Sequence, residues 1–157
     1  MAIVHARVDE RLIHGQVAMV WTNTVGATRI IVVNDEAVKD ELIIAGLKMA
    51  KPAGVKLSIL SLKRAAEKFA EKAYEEEKVF LITKNVADMA ALVRSQVPIK
   101  AFNVGNVAKR EGSRPIKKSV NLTENDEKDI REMVGLGVSV TAQMLPNESD
   151  QSILNLL

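Results

Sequence analysis

Arg7-Val8-Asp9-Glu10-Arg11-Leu12-Ile13-His14-Gly15-Gln16-Val17 lies between an apolar run and an amphipathic segment, and the change of pattern across it decides the fold. Ahead of it, Ala2-Ile3-Val4-His5-Ala6 has the β-branched content and short length of a strand, which the charged turn ends. Behind it, Leu12, Ile13, Val17, Val20, Trp21 and Thr24 recur at helical spacing, which makes Asp9 or a neighbour the expected N-cap. The unit reads as strand, loop, helix, with His14 in about the first turn after the strand.

Such a position suits anion chemistry. Unpaired backbone N–H groups at a helix start, with the positive end of the helix dipole, hold negative charge. Arg7 and Arg11 add forked donors suited to phosphate oxygens. Asp9 either clamps a guanidinium or accepts from an imidazole N–H and fixes its tautomer. Gly15 leaves room beside the ring for a tetrahedral group, and His14 can then act as a nucleophile toward phosphorus. The plain alternative is a polar or capping histidine beside a solvated turn of weak ion pairs, with Gln16 merely a good helix former.

Working outward, β-branched runs alternate with helical patterns. Gly26 stops the first helix, and Arg29 to Asn34 is apolar enough for a strand buried on both faces. Ala37 to Ala50 reads as a helix with Val38, Leu42, Ala45 and Met49 on one stripe, ended by Pro52. Val55 to Leu60 is a third strand, and Ser61 caps a helix from Leu62 to Tyr74 whose charged side is read as solvated. Val79 to Thr83 is a fourth strand, Asn85 caps a helix from Val86 to Val93, and Ile99 to Val104 is a fifth strand. That strand runs into Gly105-Asn106, either a loop that approaches His14 or a simple turn.

Ala108 to Pro115, with Lys117 and Lys118 beyond, is a basic loop, read as solvated in preference to a docking surface for acidic partners. Ser119 to Leu122 is a short strand, and Thr123 with Asp126 three residues on starts a capped helix that ends at Gly135 and Gly137. Val138 to Met144 is the final strand, followed by a tail through Leu157. Repeated units of this kind predict an α/β fold, a three-layer α/β/α arrangement with a mainly parallel sheet and helices on both faces.

Composition bounds the function. A chain of 157 residues that is 47% hydrophobic fits one domain, 1–157, with a substantial core. A net charge of only +2, with acids and bases interspersed, argues against nucleic-acid binding. There is no cysteine and only two histidines, so thiol chemistry is excluded and a metal site is not expected. No stretch approaches the roughly 20 apolar residues that cross a bilayer, and no secretory signal is visible, so a soluble protein is expected, with any membrane association made through a partner. The first turn lacks the glycine spacing of a dinucleotide or Walker-type site, which speaks against a nucleotide-binding enzyme.

The eleven-residue run from Arg7 to Val17, followed by Trp21, closely resembles the signature of the IIB component of the mannose/fructose/sorbose family of the bacterial sugar phosphotransferase system (EIIB type 4). Pro52-Ala53-Gly54-Val55-Lys56-Leu57, Phe102-Asn103-Val104-Gly105 and Gln143-Met144-Leu145-Pro146 are similar too, so the likeness covers essentially the whole chain. The resemblance implies a phosphocarrier. His14 takes a phosphoryl group through Nδ1 from the IIA component and passes it to a sugar brought in by the membrane components IIC and IID.

Arg11, Arg7 and Asp9 match family positions around the phosphate, Gly15 and Gln16 complete the site, and the first strand is expected in the interior of the sheet. No cofactor is implied beyond the covalent phosphohistidine. The protein is expected to be cytoplasmic, peripheral to the membrane through IIC and IID, and self-association is compatible with the family. The sugar, whether mannose, fructose, sorbose, N-acetylgalactosamine or another, is set by the membrane components. Family members commonly continue Asn-Val-Gly with a second glycine and a methionine, whereas this chain has Asn106-Val107, so no role is carried over to the loop after Gly105.

Leu12 and Ile13 admit two placements, facing the partner or packing inward as the helix begins. A non-catalytic regulatory or interaction domain of the same fold remains the other functional class.

Overall fold

The computed structural model describes residues 2–148 and 152–157. Six strands, β1 (Ile3–Asp9), β2 (Arg29–Val33), β3 (Lys56–Leu60), β4 (Val79–Thr83), β5 (Ala101–Asn106) and, numbered last in the chain, β8 (Ser139–Ala142), form one sheet. Their order is β3-β2-β4-β1-β5-β8, and every pairing is parallel. The first strand is interior, as expected, with β4 and β5 on its flanks. A separate antiparallel hairpin joins β6 (Ser113–Lys117) to β7 (Val120–Thr123).

The chain leaves β1 toward β2 and β3, then returns past β1 to β5 and β8. Right-handed crossovers in opposite directions put their helices on opposite faces. Helices α1 (Gly15–Val25) and α2 (Glu41–Ala50) therefore cover one face, with Trp21 and Leu47 packed on Ile30, Val32, Phe80 and Ile82. Helices α3 (Leu62–Ala70), α4 (Val86–Arg94) and α5 (Glu124–Gly135) cover the other, with Met89, Ile130 and Met133 among Ile31, Val33, Leu81 and Val104. Alternate residues of one strand feed two cores, which is why β2 and β4 read as unbroken apolar runs. The loops that follow β1 and β4 part to opposite faces, and a crevice at such a switch point is where open parallel sheets place ligands.

Several caps are as expected. Ser61, Asn85 and Thr123 each accept a backbone N–H three residues on, and Asp126 completes a capping box by accepting from the Thr123 N–H. Gly26 ends α1 at φ +67°, a conformation that favours glycine.

Other expectations need correction. The segment from Ala37 to Ala50 is a short 3₁₀ turn, Ala37–Lys39, then a helix newly capped by Asp40, which accepts from the N–H groups of Leu42 and Ile43. The break resets the helical phase. Leu42 and Met49 are 85% and 88% exposed, while Leu47 is the buried contact. Helix α3 stops at Ala70, short of Tyr74, and β5 begins at Ala101 rather than Ile99. The basic segment is half strand rather than loop, and it is solvated as read, although three of its five cations also pair within the chain: Arg110 with Asp126, Arg114 with Glu127 and Lys117 with Glu148. In the tail, Ile153–Leu156 forms a 3₁₀ turn with Ile153 fully buried.

Among the described residues, no helix is long and apolar enough to cross a membrane.

Candidate functional site

The first strand extends to Asp9, three residues beyond the apolar run, so Arg7 and Asp9 are strand residues rather than parts of a solvated turn. Both are buried, and Arg7 is only 1% exposed. A guanidinium can be tolerated there because each of its nitrogens finds a partner: Nε donates to Asp9 Oδ2 at 3.3 Å and Nη1 to the Gln143 carbonyl at 2.9 Å, with Nη2 on the Met144 sulfur at 3.7 Å. Burial pulls the Arg7 pKa below its ordinary value, and the negative charges of Asp9 and Glu148 act against that.

Gly105, a neighbour on β5, is where this side chain passes. A Cβ at that position would fall inside Arg7 Cζ, Nη1 and Nη2, so the glycine is required by close approach rather than by a turn.

Asp9 also starts the loop. Its Oδ1 accepts from the Arg11 N–H at 2.9 Å and its carbonyl accepts from the Leu12 N–H at 2.9 Å, a side-chain-plus-backbone turn that reverses the chain. Leu12 adopts φ +60°, a left-handed conformation that costs about 1–2 kcal/mol for a side chain with a Cβ. Burial offsets it: Leu12 and Ile13 are both in the core beneath α1, each contributing roughly 1.5–3 kcal/mol. The partner-facing placement of these two residues is therefore corrected. They anchor the loop from below.

His14 is left exposed as the N-cap of α1, where Asp9 was expected. Its backbone is extended, no side chain caps the helix, and the first turn carries no acidic residue, so the amide end of α1 stays open to an anion. Arg11 reaches back over the loop, with Nη1 2.9 Å from His14 Nε2. Gly15 has φ +45° and nothing within 4 Å of where a Cβ would stand, while Gln16 is exposed in the first turn. The structure thus brings His14, Arg11, Gly15 and the start of α1 together at the surface. Arg7 lies below, acting on Asp9. A cleft of about 380 Å³, lined by Arg11, Leu12, Asn34, Ile43 and Lys84 among others, opens beside the loop.

Three supports were not visible as such in the sequence. Trp21 donates Nε1–H to the Met144 carbonyl at 2.9 Å, and its ring lies 5.5 Å from the Arg7 guanidinium carbon. The segment from Gln143 to Glu148 closes over Arg7. The third is His5, whose ring stacks on Trp21 at 4.3 Å and tilts against Phe80.

Burial, and secondarily Arg7, lowers the His5 pKa from 6.5 to about 4. The unfolded chain binds a proton at His5 as pH falls through 6.5 and the folded chain does not until about 4, so stability drops across that window. The loss at pH 4.5 is about 2–3 kcal/mol. In His5→Phe that part of the acid sensitivity is absent, and urea denaturation at pH 7 and 4.5 measures it. Equal pH dependence in the two proteins would show that His5 is not the group held neutral.

Residues 3–157 match the family model described as the PTS system sorbose subfamily IIB component. The chain is 36% identical over 155 residues to the sorbose-specific EIIB component of Klebsiella pneumoniae, covering 99% of this chain and 94% of that one. It is 35% identical over 157 residues to the fructose-specific EIIB component of Bacillus subtilis strain 168, covering 100% and 96%. Among solved structures, the IIBSor domain of the sorbose permease from Klebsiella pneumoniae superposes with a TM-score of 0.95 at 36% identity, covering 99% of this chain and 96% of that one.

Proposed function

Because the chain belongs to the sorbose-subfamily IIB components of the sugar phosphotransferase system, phosphotransferase subunits that serve sugar transport, we propose that His14 is its phosphoryl carrier. The donor is the phosphohistidine of a IIA component, and the acceptor is a hydroxyl of a sugar held by the membrane components IIC and IID. On this reading the protein works in the cytoplasm, at the membrane face of those partners. The observation that carries it is the exposed His14 imidazole at the uncapped start of α1, bonded to the Arg11 guanidinium.

The contact with Arg11 supports one placement of the ring proton. A guanidinium only donates, so Nε2 accepts from Arg11 and the neutral ring carries its proton on Nδ1. For Nδ1 to attack, Arg11 leaves Nε2 for the incoming phosphoryl oxygens and the ring proton moves through solvent from Nδ1 to Nε2. The Nδ1 lone pair then forms the new P–N bond as the donor's P–N bond breaks, with its electron pair returning to the donor ring, which takes a proton. In the second half, the sugar oxygen bonds to phosphorus as its proton departs, and the His14 P–N bond breaks with its electrons returning to Nδ1.

Arg11 and the α1 amides bear the charge on the equatorial oxygens, while Asp9, held by Arg7, fixes the loop. The chemistry runs through a covalent intermediate and calls on no cofactor and no metal.

Incubation with a phosphorylated IIA component is expected to leave an acid-labile, alkali-stable phosphate on the protein. No uptake, or an acid-stable ester, would contradict the reading. The tautomer is a second expected outcome: imidazole ¹⁵N shifts place the His14 proton on Nδ1 in the free protein. In Arg11→Ala that preference relaxes and transfer slows by about tenfold or more, the scale of a lost charge-assisted contact. An unchanged tautomer and rate in Arg11→Ala would remove Arg11 from the mechanism.

A further inference from the structure

Resting on the carrier role of His14, we infer that the turn from Gln143 to Glu148 is a positioning element for phosphoryl transfer, with Gln143 as its clasp. The Gln143 side chain is buried. Its Nε2 donates to the carbonyls of Pro146 at 3.2 Å and Glu148 at 2.9 Å, closing the turn on itself. A second clasp runs the other way, from the Leu145 N–H to Glu148 Oε2 at 3.0 Å. Lys117 ties the same carboxylate to the hairpin at 3.6 Å and donates to the Ala142 carbonyl at 3.1 Å, and the Gln143 N–H bonds the Val104 carbonyl at 3.2 Å.

A turn fastened this thoroughly presents two carbonyls in fixed directions, and both are used beneath the site. The Gln143 carbonyl takes Arg7 Nη1 and the Met144 carbonyl takes Trp21 Nε1, each at 2.9 Å. From there the contacts run upward without a gap: Arg7 Nε to Asp9 Oδ2, Asp9 Oδ1 to the Arg11 N–H, and Arg11 Nη1 to His14 Nε2.

The turn touches none of the reacting atoms. It sets the depth at which Arg7 holds Asp9, and Asp9 sets where the loop places Arg11. Polar groups buried in such a chain are tightly coupled, so loosening its far end is felt at the imidazole.

The test is Gln143→Met, which keeps the shape of the side chain and removes both donations. Single-turnover transfer from a phosphorylated IIA component is expected to slow about tenfold, with the donor concentration for half-maximal rate and the final phosphate incorporation unchanged. Without any partner, ¹⁵N shifts of the His14 ring are expected to lose the Nδ1–H preference.

Parent-like rates and shifts would overturn the inference. So would lower final incorporation at an unchanged rate, which is the signature of a merely structural role. Should Gln143→Met not fold, Trp21→Phe removes the tie to Met144 while keeping an aromatic ring on His5, and an unchanged rate and tautomer there would overturn the inference equally. If the parent itself takes up no phosphate while its His14 tautomer still responds to Gln143→Met, the carrier reading fails and the mechanical coupling stands.

Discussion

His14→Ala is expected to accept no phosphoryl group from phosphorylated IIA, and its fold is expected to survive intact. The chain has two imidazoles, and only one is placed for attack. His5 lies between Trp21 and Phe80 with Nε2 buried and without a hydrogen-bond partner among the described residues. Its Nε2 is enclosed and it stands within β1 rather than at an open helix start, so His5→Ala keeps full uptake.

His14, by contrast, is exposed and makes no capping bond to the helix. Its removal changes stability by no more than about 0.5 kcal/mol, as at other surface positions. Radiolabel transfer combined with urea denaturation measures both halves of this expectation. Phosphate retained by His14→Ala would mean that another residue is the carrier.

Gly105→Val is expected to destabilise the protein by about 3–5 kcal/mol, the range for breaking a buried ion pair. The added side chain would occupy the space of the Arg7 guanidinium. Arg7 cannot yield outward, because Trp21 lies against it and the turn beyond Gln143 closes over it. Displacing it leaves Asp9 buried without its cation and the loop to His14 without its anchor, so transfer falls together with stability.

Gly46→Ala is the contrasting case. It sits on the exposed side of α2 with nothing within 4 Å of a Cβ, and it is expected to stabilise by about 0.5–1 kcal/mol. Chemical denaturation separates the two signs. A Gly105→Val protein as stable as its parent would show that Arg7 does not need that space.

What the sequence discloses follows from how local each cause is. The doubly buried strands Arg29–Val33 and Val79–Thr83 and the caps at Ser61, Asn85 and Thr123 rest on residues a few positions apart, and they are where the pattern places them. The helix phase after Ala37 escapes the periodicity because Asp40 offers a capping carboxylate inside an otherwise continuous helical pattern, and the capped start rotates Leu42 and Met49 outward. The full length of the first strand is hidden for a related reason. A charged run reads as surface unless its partners are known, and those of Arg7 lie 136 residues away at Gln143 and on the facing strand at Gly105.

The same distance hides the role of the Gln143-Met144-Leu145-Pro146 segment. Its family likeness is visible, but its use of backbone carbonyls leaves no trace in side-chain chemistry. His14, Arg11 and Gly15 were legible because strand, loop and helix start are contiguous. The burial of Leu12 and Ile13 was not, since a left-handed residue in the loop decides which way they face.

The most direct measurement of the carrier claim is the attachment site of phosphorus on the protein after incubation with phosphorylated IIA, read from ¹⁵N–³¹P coupling in the imidazole rings at alkaline pH. The account predicts coupling to Nδ1 of His14 and none at His5. Phosphorus bonded to any other residue, or a His14 ring without coupling in protein that has taken up phosphate, would contradict it.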